Sequence, residues 1–185
     1  MRRENRRDSQ VVNNFFTFAS IAIISITITI YTNYITEEKP KVLEKLQCEK
    51  ETPTRVVVTD RKLLKKSVKA LDKGYYKIES SFLKSQDDKS TVEKAISLKE
   101  LEQYYVDNIK NPAKKELEKY LKIRVELIEN EKKDENLYAG KLISSFRINS
   151  NELLRFESDI KFMYKNAIKD RVDCSMKVYK NYVEN

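Results

Sequence analysis

Cys48 and Cys174 have the widest chemical latitude of any residues in this 185-residue chain. A thiolate nucleophile needs a base beside it, and the chain contains no histidine. The same absence removes the usual acid–base group at neutral pH and the usual nitrogen ligand for zinc. What two cysteines do in a small domain then depends on compartment. In the cytosol they stay as thiols, whereas outside it an even pair predicts one disulfide. Two unpaired core cysteines are the competing reading.

Carboxylates could carry acid–base or metal chemistry, and several stand in pairs. Glu37-Glu38, Asp87-Asp88 and Asp134-Glu135 lie in lysine-rich or loop contexts without the spacing of a calcium loop. Such pairs read as solvated acids. The chain lacks the glycine-rich phosphate loops, the nucleophile elbow and the C-x-x-C motif. The expectation is a protein that is not an enzyme and holds no cofactor and no metal.

Lysine gives a sharper pattern. Lys62, Lys66, Lys69, Lys73 and Lys77 recur at steps of 4, 3, 4 and 4, with Lys65 beside them. Between Arg61 and Phe82 only Asp72 and Glu79 offset this charge. A basic helical face suits anionic lipid or an acidic partner surface. The competing reading is a solvated back face. Over the whole chain 37 basic residues stand against 29 acidic ones, a net charge of +8. Lysine and glutamate are interleaved, and no arginine-rich, aromatic-interleaved patch appears, so no nucleic-acid partner is expected.

These residues need elements to position them, and the first element is apolar. Arg2, Arg3, Arg6 and Arg7 precede a stretch without charge from Ser9 to Thr36. Its most apolar part is just long enough for a helix crossing ~30 Å of hydrocarbon, and Tyr31 and Tyr34 mark its far edge. No small-residue cleavage triplet follows, so a signal anchor is expected over a cleaved signal. The arginines place the N-terminus in the cytoplasm and the bulk of the chain outside, in a bacterial periplasm. Ala22, Ser25 and Thr29 share one face at i, i+3 and i+7, where small side chains let a second helix approach. Alternatively, the hydroxyls only bond their own backbone.

The expected organisation is a cytoplasmic tail over 1–10, a transmembrane anchor over 11–34, a juxtamembrane stalk over 35–59 and a helical domain over 60–185. Within the stalk, 41–47 reads as a short helix and Val56-Val57-Val58 as an extended piece. Asp60 is the N-cap of a helix whose seam runs Leu64, Val68, Leu71, Tyr75, Ile78, Phe82. Ser90 to Glu93 forms a capping box for a second helix carrying Val92, Leu98, Leu101 and Tyr105. Asn111-Pro112 starts a third, with Leu117, Leu121, Val125 and Ile128 as its stripe. Leu142 and Phe146 resume the spacing after a polar stretch. Asn149 to Glu152 caps the last helix, which runs from Leu153 through Phe156, Ile160 and Met163 to Val183. Two glycines and three prolines are few for a multi-stranded fold. The predicted fold class is therefore all-α: one transmembrane helix followed by an antiparallel bundle of about four helices.

The layout resembles the input half of bacterial chemoreceptor-type sensors. Leu71-Asp72 with Tyr75, and Tyr138-Ala139-Gly140, are similar to fragments of small secreted helical lysozyme inhibitors. Neither likeness covers enough of the chain to assign a family. The expected function is an accessory, scaffold or assembly subunit of a membrane complex, binding a protein partner. The alternative is a membrane-tethered ligand-binding or inhibitor-type domain.

Overall fold

A computed structural model describes residues 4–31, 43–84, 91–114, 120–130 and 138–184, with side chains of the first helix described from Val12 onward. The chain divides into two units, Met1–Val42 and Leu43–Asn185. Ser90, Tyr34 and the three adjacent carboxylate pairs lie outside the described residues.

The first unit contains helix α1, Glu4–Ile30. Its stretch Val12–Ile30 is long and apolar enough to cross a membrane, and its large apolar side chains are exposed. Length and composition of this kind suit a membrane anchor and a signal sequence alike. Thr17, Ser20, Thr27 and Thr29 each donate to the carbonyl four residues earlier at 2.8 Å. This self-bonding satisfies the hydroxyls without a neighbouring helix.

The second unit is not a helical bundle. Its centre is a five-stranded mixed sheet in the order β1-β5-β4-β3-β2. The elements run α2 (Gln47–Lys50), β1 (Thr54–Val58), α3 (Arg61–Asp72), β2 (Tyr76–Leu83), α4 (Val92–Ala95) and α5 (Leu98–Asp107). They continue with β3 (Leu121–Glu129), β4 (Gly140–Ile148), β5 (Asn151–Ile160) and α6 (Lys165–Glu184). Only β2 and β3 pair in parallel, and their connection passes through α4 and α5, as a parallel pair requires. Helices α3, α5 and α6 cover one face of the sheet. The all-α expectation is overturned, and the reason differs from strand to strand.

In β2 the core-facing residues are Tyr76, Ile78, Ser80 and Phe82, two apart. Ser80 hides that period because it is polar, its hydroxyl donating to Glu102. The apparent heptad seam through Tyr75, Ile78 and Phe82 therefore joins a helix to a strand. Gly74 makes the break: its φ is +76°, and a Cβ there would lie 2.5 Å from the Pro112 carbonyl oxygen. Strand β3 alternates without exception, Leu121, Ile123, Val125 and Leu127 being buried and Arg124 exposed. A stripe drawn through every third or fourth residue passes over that alternation. In β4 the period between Leu142 and Phe146 is masked by Ser144, which is buried and bonded to the Tyr105 hydroxyl.

The predicted last helix is a strand followed by a helix. Its helical look comes from a β-bulge, where the β4–β5 register shifts between Phe146 and Arg147. The bulge buries Leu153 and Leu154 in succession and imitates helical spacing. Asn149 is not a helix cap but the first residue of a two-residue turn, with φ +55°. Asparagine tolerates that left-handed conformation better than most residues. A sheet with one such tight turn, and helices or longer connections elsewhere, needs few glycines.

Other local signals hold. Asp60 caps α3, accepting from the Leu63 amide at 2.9 Å. Ser97 and Glu100 form a capping box on α5 that the sequence reading overlooked. The helix expected over 41–47 is not formed at 43–46, a four-residue helix occupying Gln47–Lys50 instead, whereas Val56-Val57-Val58 is extended as the heart of β1. Thus α2 and β1 belong to the folded domain. Its core joins Phe146 stacked on Tyr179, at 4.3 Å between ring centres, to Leu64, Leu101, Leu154, Phe156 and Val172. Truncating one such fully buried ring costs about 3–5 kcal/mol.

Candidate interaction surface

The domain is held to its incoming chain by a staple. Cys48 on α2 is bonded to Cys174 on α6, closing a sequence separation of 126 residues. The chain-entropy model assigns roughly 4–5 kcal/mol to a loop of this length. The predicted pairing is therefore present in the fold. Three residues before Cys174, on the same face of α6, Arg171 repeats the connection by hydrogen bonds. Its Nη1 donates to the Cys48 carbonyl at 2.8 Å and to Thr52 Oγ1 at 3.0 Å, while Nη2 pairs with Glu51. The arginine side chain is almost wholly buried. Burying a guanidinium is unfavourable unless its donors are engaged, and here three acceptors engage them. Arg171 was missed in the sequence because many bases crowd that region. Its i, i+3 spacing to Cys174 was the one available signal.

The uncovered face of the sheet is polar and self-paired. Glu79 is 2.9 Å from Lys77 and 3.5 Å from Lys122, which hold its carboxyl below the usual range, Lys77 contributing most. Arg124 pairs with Glu126 at 2.8 Å, Arg155 with Glu157 at 2.7 Å and Lys141 with Asp159 at 3.9 Å. Ile143 is flanked in register by Glu126 and Glu157, and Ser145 by Arg124 and Arg155, and both are buried on this otherwise open face of the central strand. Lys77 belongs here, on β2, so it is separated from the other lysines of the predicted series.

The outer face of α3 contrasts with this. Lys62, Lys65, Lys66 and Lys69 are exposed on the helix, and Lys73 extends the series at its C-cap. Leu64, Ser67, Ala70 and Leu71 take the opposite, buried face. Among the described residues these five lysines form no ion pair, whereas every basic residue named above on the sheet face does. The first turn of α3 has no acidic residue. Asp60, at the N-cap just before it, supplies the carboxylate that faces the positive end of the helix dipole.

Several shallow hollows mark the surface, and two of them have aromatic or apolar walls. One, of about 270 Å³, lies between α3 and α6 over Val68, Leu71, Ile109, Tyr179 and Val183. The other, of about 180 Å³, lies at the β5–α6 junction beside Phe162, Tyr164 and Arg171. Phe162 and Tyr164 are 55% and 51% exposed, with rings 6.0 Å apart, and Lys161 Nζ lies 5.8 Å from the Phe162 ring centre. Among the described residues no group of three or more Cys, Asp or Glu is placed to hold a metal ion. The two tyrosines buried beneath the helices, Tyr105 and Tyr179, hydrogen-bond Ser144 and Ser67. Burial pushes both phenols up to about 12. These groups are packing elements rather than acids poised for chemistry. Comparison with known families, curated proteins and solved structures finds no match.

Proposed function

We propose that this chain is a non-enzymatic, single-pass membrane protein serving as an accessory, scaffold or assembly subunit of a membrane complex. The observation that carries the reading is α1, a long apolar helix with exposed side chains, preceding a domain stapled to its own incoming segment. An uncovered apolar surface of that length needs lipid or protein around it. The arginines before it favour an N-terminus in the cytoplasm, and the disulfide favours an oxidising compartment for the domain, such as a periplasm.

A protein partner is supported by the exposed aromatic pair Phe162 and Tyr164, since aromatic rings are enriched at protein interfaces. The ligand-binding alternative has the α3–α6 hollow in its favour. It is about 270 Å³ and open to solvent. The larger hollow of about 470 Å³ around Lys45, Glu49, Thr52 and Tyr138 is shallow and lined mainly by polar groups rather than the apolar walls of small-molecule sites, so the partner reading is preferred.

The test is affinity purification of the full chain from native membranes in mild detergent. A stoichiometric membrane protein should co-purify, and Phe162→Ala with Tyr164→Ala should release it without changing the thermal unfolding of the domain. Recovery of the chain alone, under conditions that preserve other membrane complexes, would refute the subunit reading.

A further inference from the structure

We infer that the lysine face of α3 rests on the anionic phosphate headgroups of the membrane that α1 spans. The inference rests on the membrane reading of α1 and adds a second, electrostatic attachment that orients the domain. Three observations carry it.

The first is composition. Lys62, Lys65, Lys66, Lys69 and Lys73 form an exposed stripe with no arginine, no aromatic ring and no exposed large apolar residue among them. Protein interfaces are depleted in lysine and enriched in arginine and aromatic residues. Lysine is a compact point charge on a flexible stem, suited to a diffuse field of phosphates rather than a fixed fork of hydrogen bonds. A protein partner is thus better matched to Phe162 and Tyr164 than to this helix.

The second is the free domain's own electrostatics. Lysines three and four apart repel one another along α3, and the Asp60 carboxylate at its N-cap is engaged by the Leu63 amide. On the open sheet face the same residue types sit in ion pairs. The α3 stripe is therefore mildly destabilising in isolation, and an external anionic surface relieves it.

The third is reach. The connection between Tyr31 and Leu43 can extend at most roughly 40 Å. The staple between α2 and α6 prevents further chain from peeling away. A tethered domain samples the membrane surface at high effective concentration, so weak charge attraction is enough to bias its orientation. Because the apolar face of α3 is committed to the core, the contact is peripheral and does not insert into the hydrocarbon.

The full chain would be reconstituted into two sets of lipid nanodiscs, phosphatidylcholine alone and phosphatidylcholine with phosphatidylglycerol. A water-soluble amine-reactive reagent would then label the lysines, with mass spectrometry reading the rate at each site. Lys94, Lys99 and Lys177 are internal references on other elements. Each lysine near an anionic surface is worth about a fivefold bias. Labelling of Lys62, Lys65, Lys66, Lys69 and Lys73 should therefore fall at least fivefold in the anionic discs alone, with the references unchanged. High salt should restore it, because the screening length falls to ~3 Å at 1 M. In the Lys66→Gln, Lys69→Gln, Lys73→Gln variant, Lys62 and Lys65 should lose their protection. Equal labelling in both discs would overturn the inference while leaving the span intact, since retention in the discs reports the span separately. Protection that appears only when native membrane proteins are added would overturn it too, assigning the face to an acidic protein. A chain washed from both discs at alkaline pH would overturn the span and this inference together.

Discussion

The open face of the sheet and the outer face of α3 draw on the same lysine-rich composition and use it oppositely. Across β2, β3, β4 and β5, alternation places acids and bases side by side, and the charges cancel locally. Along α3, lysines recur every third or fourth residue with only Asp72 among them, and the charge points outward without cancellation. Net charge alone hides this difference. A face that neutralises itself needs only water, whereas one that does not is available to something anionic. Between them lies the helix layer, which carries the core and the staple and should set the stability of both.

That division is most exposed to failure at the staple. Cys174→Ser should lower the unfolding free energy by up to roughly 4–5 kcal/mol, read by chemical denaturation. The oxidised wild type should also migrate faster on a gel than the reduced form, a difference the variant lacks. A loss well under 1 kcal/mol would move the stability away from the helix layer.

Next in size comes alkaline unfolding. Tyr105 and Tyr179 have phenols raised to about 12 by burial, against an ordinary value near 10. A raised folded-state value means stability that is full below about 10 and is lost as pH climbs through about 12. Each contributes about 2–3 kcal/mol across that window. Tyrosinate absorbance should show two late phenols that ionise only with loss of the fold. Smooth titration of all the tyrosines before unfolding would contradict the burial. Smaller still, Glu126→Gln and Glu157→Gln on the open face should cost under about 1 kcal/mol each, since partly exposed pairs are worth little. A larger loss would show that the open face is structural. Smallest is the triple change of Lys66, Lys69 and Lys73 to Gln, whose stability should stay within about 0.5 kcal/mol of wild type by thermal unfolding. A marked loss would mean that those lysines serve the fold rather than an external surface.

How much of this was legible in the sequence depended on whether a local signal could be separated from its neighbours. The apolar segment, the Asp60 cap and the cysteine pairing were readable because each rests on few residues and one clear principle. The sheet was not. Ser80 and Ser144 break the apolar alternation of β2 and β4 because their hydroxyls are satisfied by Glu102 and Tyr105, partners distant in sequence. The bulge at Leu153 gives β5 a helical spacing that only its register with β4 exposes. Leu121 to Glu129 did carry an unbroken alternation, and the every-fourth-residue stripe through it was the weaker of two available patterns. Of the candidate surface, the lysine series on α3 was visible. Its end at Lys73 was not, because Gly74 reads equally as a tolerated helix residue until the Pro112 carbonyl is found beside it. Arg171 acquires its role only when β1 and α6 bring Glu51 and Thr52 to it.

The central claim is that one helix carries this chain through a membrane and leaves the sheet domain on the far side. Protease added to the outer face of sealed native membranes, followed by mass spectrometry of the protected peptides, addresses it most directly. The account predicts digestion of the domain and survival of a short fragment containing Arg2, Arg3, Arg6, Arg7 and the residues of α1 through Ile30. Protection of residues beyond Thr59 in intact membranes, lost only when the membranes are opened, would contradict it.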